Sequence, residues 1–118
     1  MNWIVIAAIY GGLAVIAGAF GAHGLRARLD PSQLSAWNTA AEYQLLHSLV
    51  LLALGLFHSS TGRSVTTSAV LFAVGVLLFS GSIYLLTLTP MRWLGPVTPV
   101  GGLLLIGAWG SLIALARH

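Results

Sequence analysis

Three side chains in this 118-residue chain, those of His23, Glu42 and His47, are of types that could bind a metal ion or transfer protons. Two imidazoles and a carboxylate could bind a divalent cation, and a carboxylate beside an imidazole could relay protons. The spacing gives little support to a metal site, because the chain contains neither an HxxxH nor an HExxH pattern. These residues are therefore weak metal candidates, and no metal is expected.

Other cofactor and catalytic patterns are also weak. His23 and His47 could in principle hold a haem from two helices, but they are expected at different depths. The chain has no cysteine, which excludes thiolate nucleophiles, thiolate metal ligands and disulfides. It also has no phosphate-binding loop, Gly-flanked nucleophile or paired carboxylates. We therefore expect no cofactor and no enzymatic activity.

Four windows of the sequence are nearly free of ionisable residues: 1–22, 43–62, 64–91 and 93–116. About 20 apolar residues in a helix cross the roughly 30 Å hydrocarbon core of a bilayer. With 58% hydrophobic and 6% charged residues, a soluble protein would lack an adequate polar surface. The sequence therefore predicts an all-α integral membrane protein in the lipid bilayer.

The predicted architecture is a single domain over residues 1–118, with four transmembrane helices in an up-and-down bundle. The helices are expected at about 2–22, 31–58, 65–88 and 97–116. Small residues should let these helices approach closely. They are Ala7, Gly11, Ala14, Gly18 and Ala22 in the first helix, the seven-residue repeat Ser68, Gly75, Ser82 and Thr89 in the third, and Gly101, Gly102, Gly107 and Gly110 in the fourth.

The second helix is expected to begin well before its membrane part. Asp30 is a good N-cap residue, Pro31 suits the first helical position and Gln33 the third. A helix over 31–58 would be roughly 42 Å long, which exceeds one span. Its first turns are amphipathic, with an apolar stripe of Leu34, Trp37 and Ala41, and we expect them at the membrane interface with Trp37 as an anchor.

Four spans place both termini on one side and bring polar residues of all helices into the other half of the membrane. The candidates for a ligand site or polar network are His23, Glu42, Tyr43, Gln44, His47, Ser80, Ser82, Tyr84 and Thr98. Arg26, Arg28 and Arg92 surround this half, against two arginines and the amino terminus opposite. The positive-inside rule therefore favours a cytoplasmic location for the polar half and extracytoplasmic termini.

Structural roles compete with chemical ones at the same positions. A neutral His47 could be hydrogen-bonded across the bundle to Ser82 or Tyr84. Glu42 could form an ion pair with Arg26, Arg28 or Arg92. Ser80 and Ser82 are expected to serve packing.

Four strings carry a family resemblance: GAFGAHGL at 18–25, WNTAAEYQLLH at 37–47, FSGSIY at 79–84 and GPVTPVGG at 95–102. The chain resembles the small bacterial membrane proteins related to YgdD and YwdK, a domain family of unknown function with distant eukaryotic relatives. This resemblance implies a four-span protein of the bacterial inner (plasma) membrane and supplies no activity. Its signature residues coincide with the polar half described above.

Two functions are expected from these observations. The first is a non-enzymatic membrane protein that assembles with itself or with a membrane partner, the polar cluster fixing its geometry. The alternative is a binder or transporter of a small ligand, proton or ion that uses His23, Glu42 and His47. The pI of about 10.2 comes from five scattered arginines, so no nucleic-acid partner is expected.

Overall fold

The computed structural model describes residues 2–117, which form four long helices connected by short loops. The helices are α1 (Trp3–Ala22), α2 (Pro31–Thr61), α3 (Thr66–Leu88) and α4 (Val97–Ala116), and a 3-10 turn at Arg92–Leu94 precedes α4. Each of the four is long and apolar enough to cross a membrane, and no strand occurs among the described residues. The predicted fold class is confirmed.

The start and end of α2 follow from local sequence. The Asp30 carboxylate accepts the Gln33 backbone N–H at 2.8 Å, and the Gln33 side chain accepts the Asp30 N–H at 3.1 Å. This reciprocal capping box satisfies two donors at the helix start. The helix ends at Thr61 and is capped by Gly62, whose φ of 72° is left-handed and whose N–H donates to the His58 carbonyl. Glycine adopts this conformation without steric cost.

Trp37 is buried between helices, so its predicted role as an interfacial anchor is wrong. Only 5% of the side chain is exposed, and its indole N–H donates to the Ala17 carbonyl of α1 at 2.7 Å. The centroid of its ring lies 4.6 Å from that of the Tyr84 ring in α3. The amphipathic pattern itself is confirmed, because Trp37 and Ala41 are buried while Glu42 is exposed. The apolar stripe faces α1 and α3, which offer an acceptor for the indole.

The four helices form an open arrangement. Backbones of α1 and α2, of α2 and α3, and of α3 and α4 pack extensively, whereas α1 and α4 share no comparable contact within residues 2–117. The two middle helices are consequently the most buried. Large outward faces of α1 and α4 remain for lipid or for other proteins.

The first three members of the predicted α3 repeat face α4, which confirms that they form a helix-packing surface, whereas Thr89 lies just past the end of α3 and bonds the Leu85 carbonyl of that helix. The contacts with α4 pair the Ser68 and Ser111 hydroxyls at 2.6 Å, Gly75 with Leu105, and the Ser82 hydroxyl with the Thr98 hydroxyl. Gly101 of α4 lies directly on the backbone of α3 at Phe79, where an added Cβ would collide. Small side chains therefore set the distance between α3 and α4.

The packing face predicted for α1 is partly wrong. A Cβ at Gly18 would meet no atom within 4 Å, and Ala22 is exposed. Ala7 and Ala14 are buried as predicted, and a Cβ at Gly11 would lie 3.2 Å from the Ser48 hydroxyl of α2. Gly21, seven residues after Ala14, is also buried and was not predicted. Helix 1 carries small residues on more than one face, so their spacing alone did not identify the face that packs.

Candidate functional site

His47 is buried in α2, and both of its ring nitrogens form hydrogen bonds. Nδ1 lies 2.7 Å from the Tyr43 carbonyl, to which only an N–H can donate. The indole Nε1–H of Trp109 in α4 donates to Nε2 at 3.1 Å. This arrangement requires the neutral tautomer with its proton on Nδ1. His47 is thus hydrogen-bonded across the helices, but its partner is Trp109 rather than Ser82 or Tyr84.

Gln44, one turn before His47, connects three helices. Its Nε2 donates to the Tyr10 carbonyl of α1 at 2.8 Å, and its Oε1 accepts the Tyr84 hydroxyl of α3 at 2.7 Å. The Tyr10 hydroxyl in turn donates to the Ala73 carbonyl of α3 at 2.9 Å. The amide therefore uses donor and acceptor together, which holds α1 and α3 at fixed positions relative to α2.

Ser80 and Ser82 of α3 have packing roles, in agreement with the sequence-based expectation. The Ser80 hydroxyl is 1% exposed and donates to the Ala40 carbonyl of α2 at 2.8 Å. Ser82 bonds the Phe79 carbonyl of its own helix and the hydroxyl of Thr98 at the start of α4. Both serines are small enough to let the helices approach while satisfying their own hydroxyl groups.

The structure does not bring His23 and Glu42 into this network. His23 caps α1 and is exposed, and Glu42 is exposed on α2. Glu42 and His47 are five residues apart and so lie about 140° from each other around the helix axis. Among residues 2–117 no group of three His, Asp or Glu side chains could hold a metal ion. The proposed ligand set of His23, Glu42 and His47 is therefore not assembled.

Tyr43 and Glu42 lie toward the outside of α2. Tyr43 is 41% exposed, and its ring stacks on Phe79 with centroids 4.8 Å apart. The expected ion pair of Glu42 is not formed, because no carboxylate of residues 2–117 lies within 4.0 Å of an arginine. Glu42 sits on the face opposite the packed stripe, where water or lipid headgroups can solvate it.

The aromatic donors Tyr10, Trp37 and Trp109 complete the network, and none of them was among the polar-network candidates predicted from the sequence. Tyr10 and Trp109 lie within apolar windows, and each of the three residues donates one hydrogen bond to a group on another helix. Tyrosine and tryptophan are enriched at membrane interfaces and usually hydrogen-bond when buried. A tyrosine or tryptophan deep in an apolar window is therefore a sequence signal for a hydrogen bond to another helix.

Two openings flank the network on the outside of the helices. A cavity of about 330 Å³ lies between α1 and α3, and side chains of α2 form part of its wall. The lining includes Ala17, Phe20, Trp37, Leu77, Gly81 and Tyr84. A groove of about 810 Å³ lies between α2 and α4 beside His47 and Trp109. Both are lined mainly by apolar side chains and open sideways, toward the positions that lipid occupies around a membrane protein.

These features define a class: a four-helix membrane protein whose buried polar side chains are hydrogen-bonded to one another. The chain belongs to the family described as "Protein of unknown function (DUF423)", which matches residues 17–102. That segment begins at Ala17, whose carbonyl accepts the Trp37 indole, and ends at Gly101 and Gly102 near the start of α4. It contains Gln44 and His47.

Similar proteins in bacteria and in yeast carry the same description as membrane proteins. A UPF0382 membrane protein of Staphylococcus haemolyticus is 42% identical over 111 residues, which cover 94% of this chain and 91% of the relative. YwdK of Bacillus subtilis is 38% identical over 97% of this chain and 94% of its own length, and a UPF0382 membrane protein of Schizosaccharomyces pombe is 43% identical over 92% and 95%. The resemblance drawn from the sequence is confirmed. No solved structure matches the chain significantly.

Proposed function

We propose that this chain is a non-enzymatic integral membrane protein that assembles with a second copy or a membrane partner through the outer face of α4. The observation that carries the proposal is a continuous exposed stripe on that helix: Leu103, Ile106, Gly107, Gly110, Ile113 and Ala114. A Cβ at Gly107 or Gly110 would meet nothing within 4 Å. In lipid, such small residues allow another helix to approach closely.

The polar side chains buried among the helices have all their hydrogen bonds satisfied, which supports a structural role for the polar half rather than ion or proton transport. Every buried side-chain nitrogen and oxygen of residues 2–117 has a hydrogen-bond partner. A transported proton or ion needs a side-chain atom that is free to bind it. Both ring nitrogens of His47 are already hydrogen-bonded, one to the Tyr43 carbonyl and the other to the Trp109 indole. Polar groups that bond to one another hold the helices in register.

The assembly proposal is tested by determining the number of chains per particle in liposomes, for example by subunit counting with single-molecule photobleaching. Gly107→Leu and Gly110→Leu should shift the parent assembly toward monomers by about tenfold or more in dissociation constant, which corresponds to about 1.4 kcal/mol. Gly12→Leu on α1 is the matched control, because Gly12 is equally open. A monomeric parent that purifies without a partner protein would contradict the proposal.

The alternative function is tested in the same liposomes. Glu42→Gln and His47→Gln are compared with the parent for proton and cation flux and for thermal stability in detergent. We expect no flux above empty liposomes, a stability loss for His47→Gln, and little change for the exposed Glu42. Flux by the parent that either substitution abolishes without a loss of stability would support the transporter instead.

We further propose a plasma-membrane location in bacteria, with Arg26, Arg28 and Arg92 facing the cytoplasm and both termini outside. The three arginines are exposed at one end of the helices. Because the chain contains no cysteine, Ser32→Cys and Ser59→Cys each introduce a unique label at opposite ends. A membrane-impermeant maleimide should label Ser59→Cys in intact cells and Ser32→Cys only after permeabilisation. The opposite result would reverse the orientation.

A further inference from the structure

Hydrogen bonds hold two aromatic side chains that line the cavity between α1 and α3. Trp37 is held by the Ala17 carbonyl, and Tyr84 by Gln44. Gly81 contributes no side chain to the wall, and an added Cβ there would meet only Leu77 at 4.0 Å. The volume of about 330 Å³ lies at the lower end of the ~300–1,000 Å³ found for ligand pockets.

The chemistry of the wall selects a hydrocarbon occupant. Its polar side chains are turned toward protein partners: Gln44 bonds the Tyr10 carbonyl and the Tyr84 hydroxyl, and Ser80 bonds the Ala40 carbonyl. The surface left for a ligand is formed by apolar and aromatic groups such as Phe20. A polar molecule would lose its own hydrogen bonds there, whereas an acyl chain loses nothing.

Two positively charged residues in the loop after α1, Arg26 and Arg28, favour a lipid with an anionic headgroup. The carbonyl of Phe20, a wall residue, accepts the Leu25 N–H at 2.8 Å, and the loop then continues through the exposed Arg26 and Arg28. Leu25 and Leu29 pack against the cluster of Ala17, Trp37 and Ala41, which leaves the two guanidinium groups outside. The acid of this loop, Asp30, is engaged by Ser32 and Gln33. Guanidinium groups bind phosphate strongly and in bidentate geometry.

We propose that the cavity between α1 and α3 is a lipid site that holds one acyl chain of an anionic phospholipid, with its phosphate at Arg26 and Arg28. This site lies away from the outer face of α4 and does not depend on assembly. Its size suits one hydrocarbon chain rather than a whole lipid.

The first test measures lipid retention by native mass spectrometry after purification in mild detergent, followed by titration with phosphatidylglycerol or with phosphatidylcholine of the same chains. We expect one phosphatidylglycerol per chain, bound at least tenfold more tightly than phosphatidylcholine. Gly81→Leu fills the cavity and should reduce retention at least tenfold. Gly12→Leu, at an open position of α1 that does not line the cavity, is the matched control and should retain lipid like the parent.

The headgroup contribution is tested with the double variant Arg26→Gln, Arg28→Gln, which should bind the two lipids equally. Equal binding by the parent, or full retention by Gly81→Leu, would overturn the proposal and identify the lipid as ordinary surface lipid.

A second measurement uses the unmodified chain, so it does not depend on the folding of a variant. Phosphatidylglycerol with a photoreactive acyl chain should label Leu13 and Leu77 at the cavity, and a tenfold excess of unlabelled phosphatidylglycerol should suppress this labelling at least fivefold. Val15 and Leu49 are exposed residues outside the cavity, and unlabelled phosphatidylglycerol should reduce their labelling only as far as dilution of the probe predicts. Equal competition at both places would contradict a specific site.

Discussion

The indole nitrogen of Trp109 donates a hydrogen bond to Nε2 of His47, and this bond spans the groove between α4 and α2. The bond determines which imidazole nitrogen carries the proton, since Nδ1 must then donate to the Tyr43 carbonyl. The ring of Trp109 also meets Phe72 of α3 edge-on, with centroids 5.4 Å apart. Half of the tryptophan side chain is nevertheless exposed, so a single residue joins the core to the lipid-facing surface.

Loss of this bond should destabilise the fold. Trp109→Phe leaves Nε2 of His47 without its donor in an apolar environment, and hydrogen bonds between membrane helices contribute about 0.6 kcal/mol on average and up to about 1.7. We expect a decrease of that size in the free energy of unfolding, measured by titration from mild detergent into sodium dodecyl sulfate. Trp93→Phe is the control, because Trp93 is 67% exposed. Equal stability of the two variants would show that the bond contributes nothing.

Gln44 and Tyr84 should be energetically coupled. Tyr84→Phe removes the hydroxyl that donates to Gln44, and Gln44→Leu removes both bonds of the amide. Each change should lower the free energy of unfolding by about 0.6 to 1.7 kcal/mol, and the double variant should lose less than the sum. Tyr43→Phe, on an exposed ring, serves as the control and should be near neutral. Strict additivity would mean that the two side chains act independently.

Substitution by leucine should destabilise the protein strongly at Gly75 and hardly at all at Gly18. A Cβ at Gly75 would lie 2.8 Å from the Leu105 side chain and 3.2 Å from its backbone nitrogen, whereas Gly18 is open. Overpacking costs about 1–3 kcal/mol, and a residue this close to backbone should reach the upper end of that range. Gly18→Leu should stay within about 0.5 kcal/mol of the parent. Folded yield and unfolding free energy distinguish these results, and similar values for both variants would refute the assigned packing faces.

The start of α2 should respond to acid through Asp30. Hydrogen bonds from the Gln33 backbone N–H and the Ser32 hydroxyl hold the pKa of Asp30 below its usual value. The charged cap therefore stabilises the first turn above the unfolded pKa of about 3.9, and this stabilisation is lost as the pH falls through the lower folded value.

Carbon-13 chemical shifts of Ser32 and Leu34 measure this transition. We expect their helical shifts to decrease below about pH 4 in the parent. The shifts should remain unchanged in Asp30→Asn, because asparagine caps without a charge. The same acid transition in both proteins would assign it to another group.

The contacts within each helix were largely predictable, whereas the contacts between helices were only partly so. The Asp30 cap, the amphipathic start of α2 and the α3 repeat of Ser68, Gly75 and Ser82 all follow from spacing along one chain segment. Trp37 and Gly18 were misplaced because their environment depends on the rotation of α1 against α2. Several faces of α1 carry small or apolar residues, so its sequence permits more than one rotation.

The same distinction applies to the candidate site. Gln44, His47, Ser80, Ser82, Tyr84 and Thr98 were recognised as polar residues in apolar spans, and all are hydrogen-bonded. Their partners were not predicted, because the acceptors are often backbone carbonyls, which every residue carries. A sequence does not distinguish the carbonyls of Tyr10, Ala17 and Ala40 from any others.

The sequence by itself determined the four spans, because hydropathy and helix length depend only on local composition and on the thickness of a bilayer. It also determined where α2 starts, since capping is a contact among neighbouring residues. Only the tertiary structure decided that His47 bonds Trp109 and that His23 and Glu42 lie outside the hydrogen-bonded network. Those relationships depend on the distance and rotation between helices, and these follow from side-chain packing over the whole bundle.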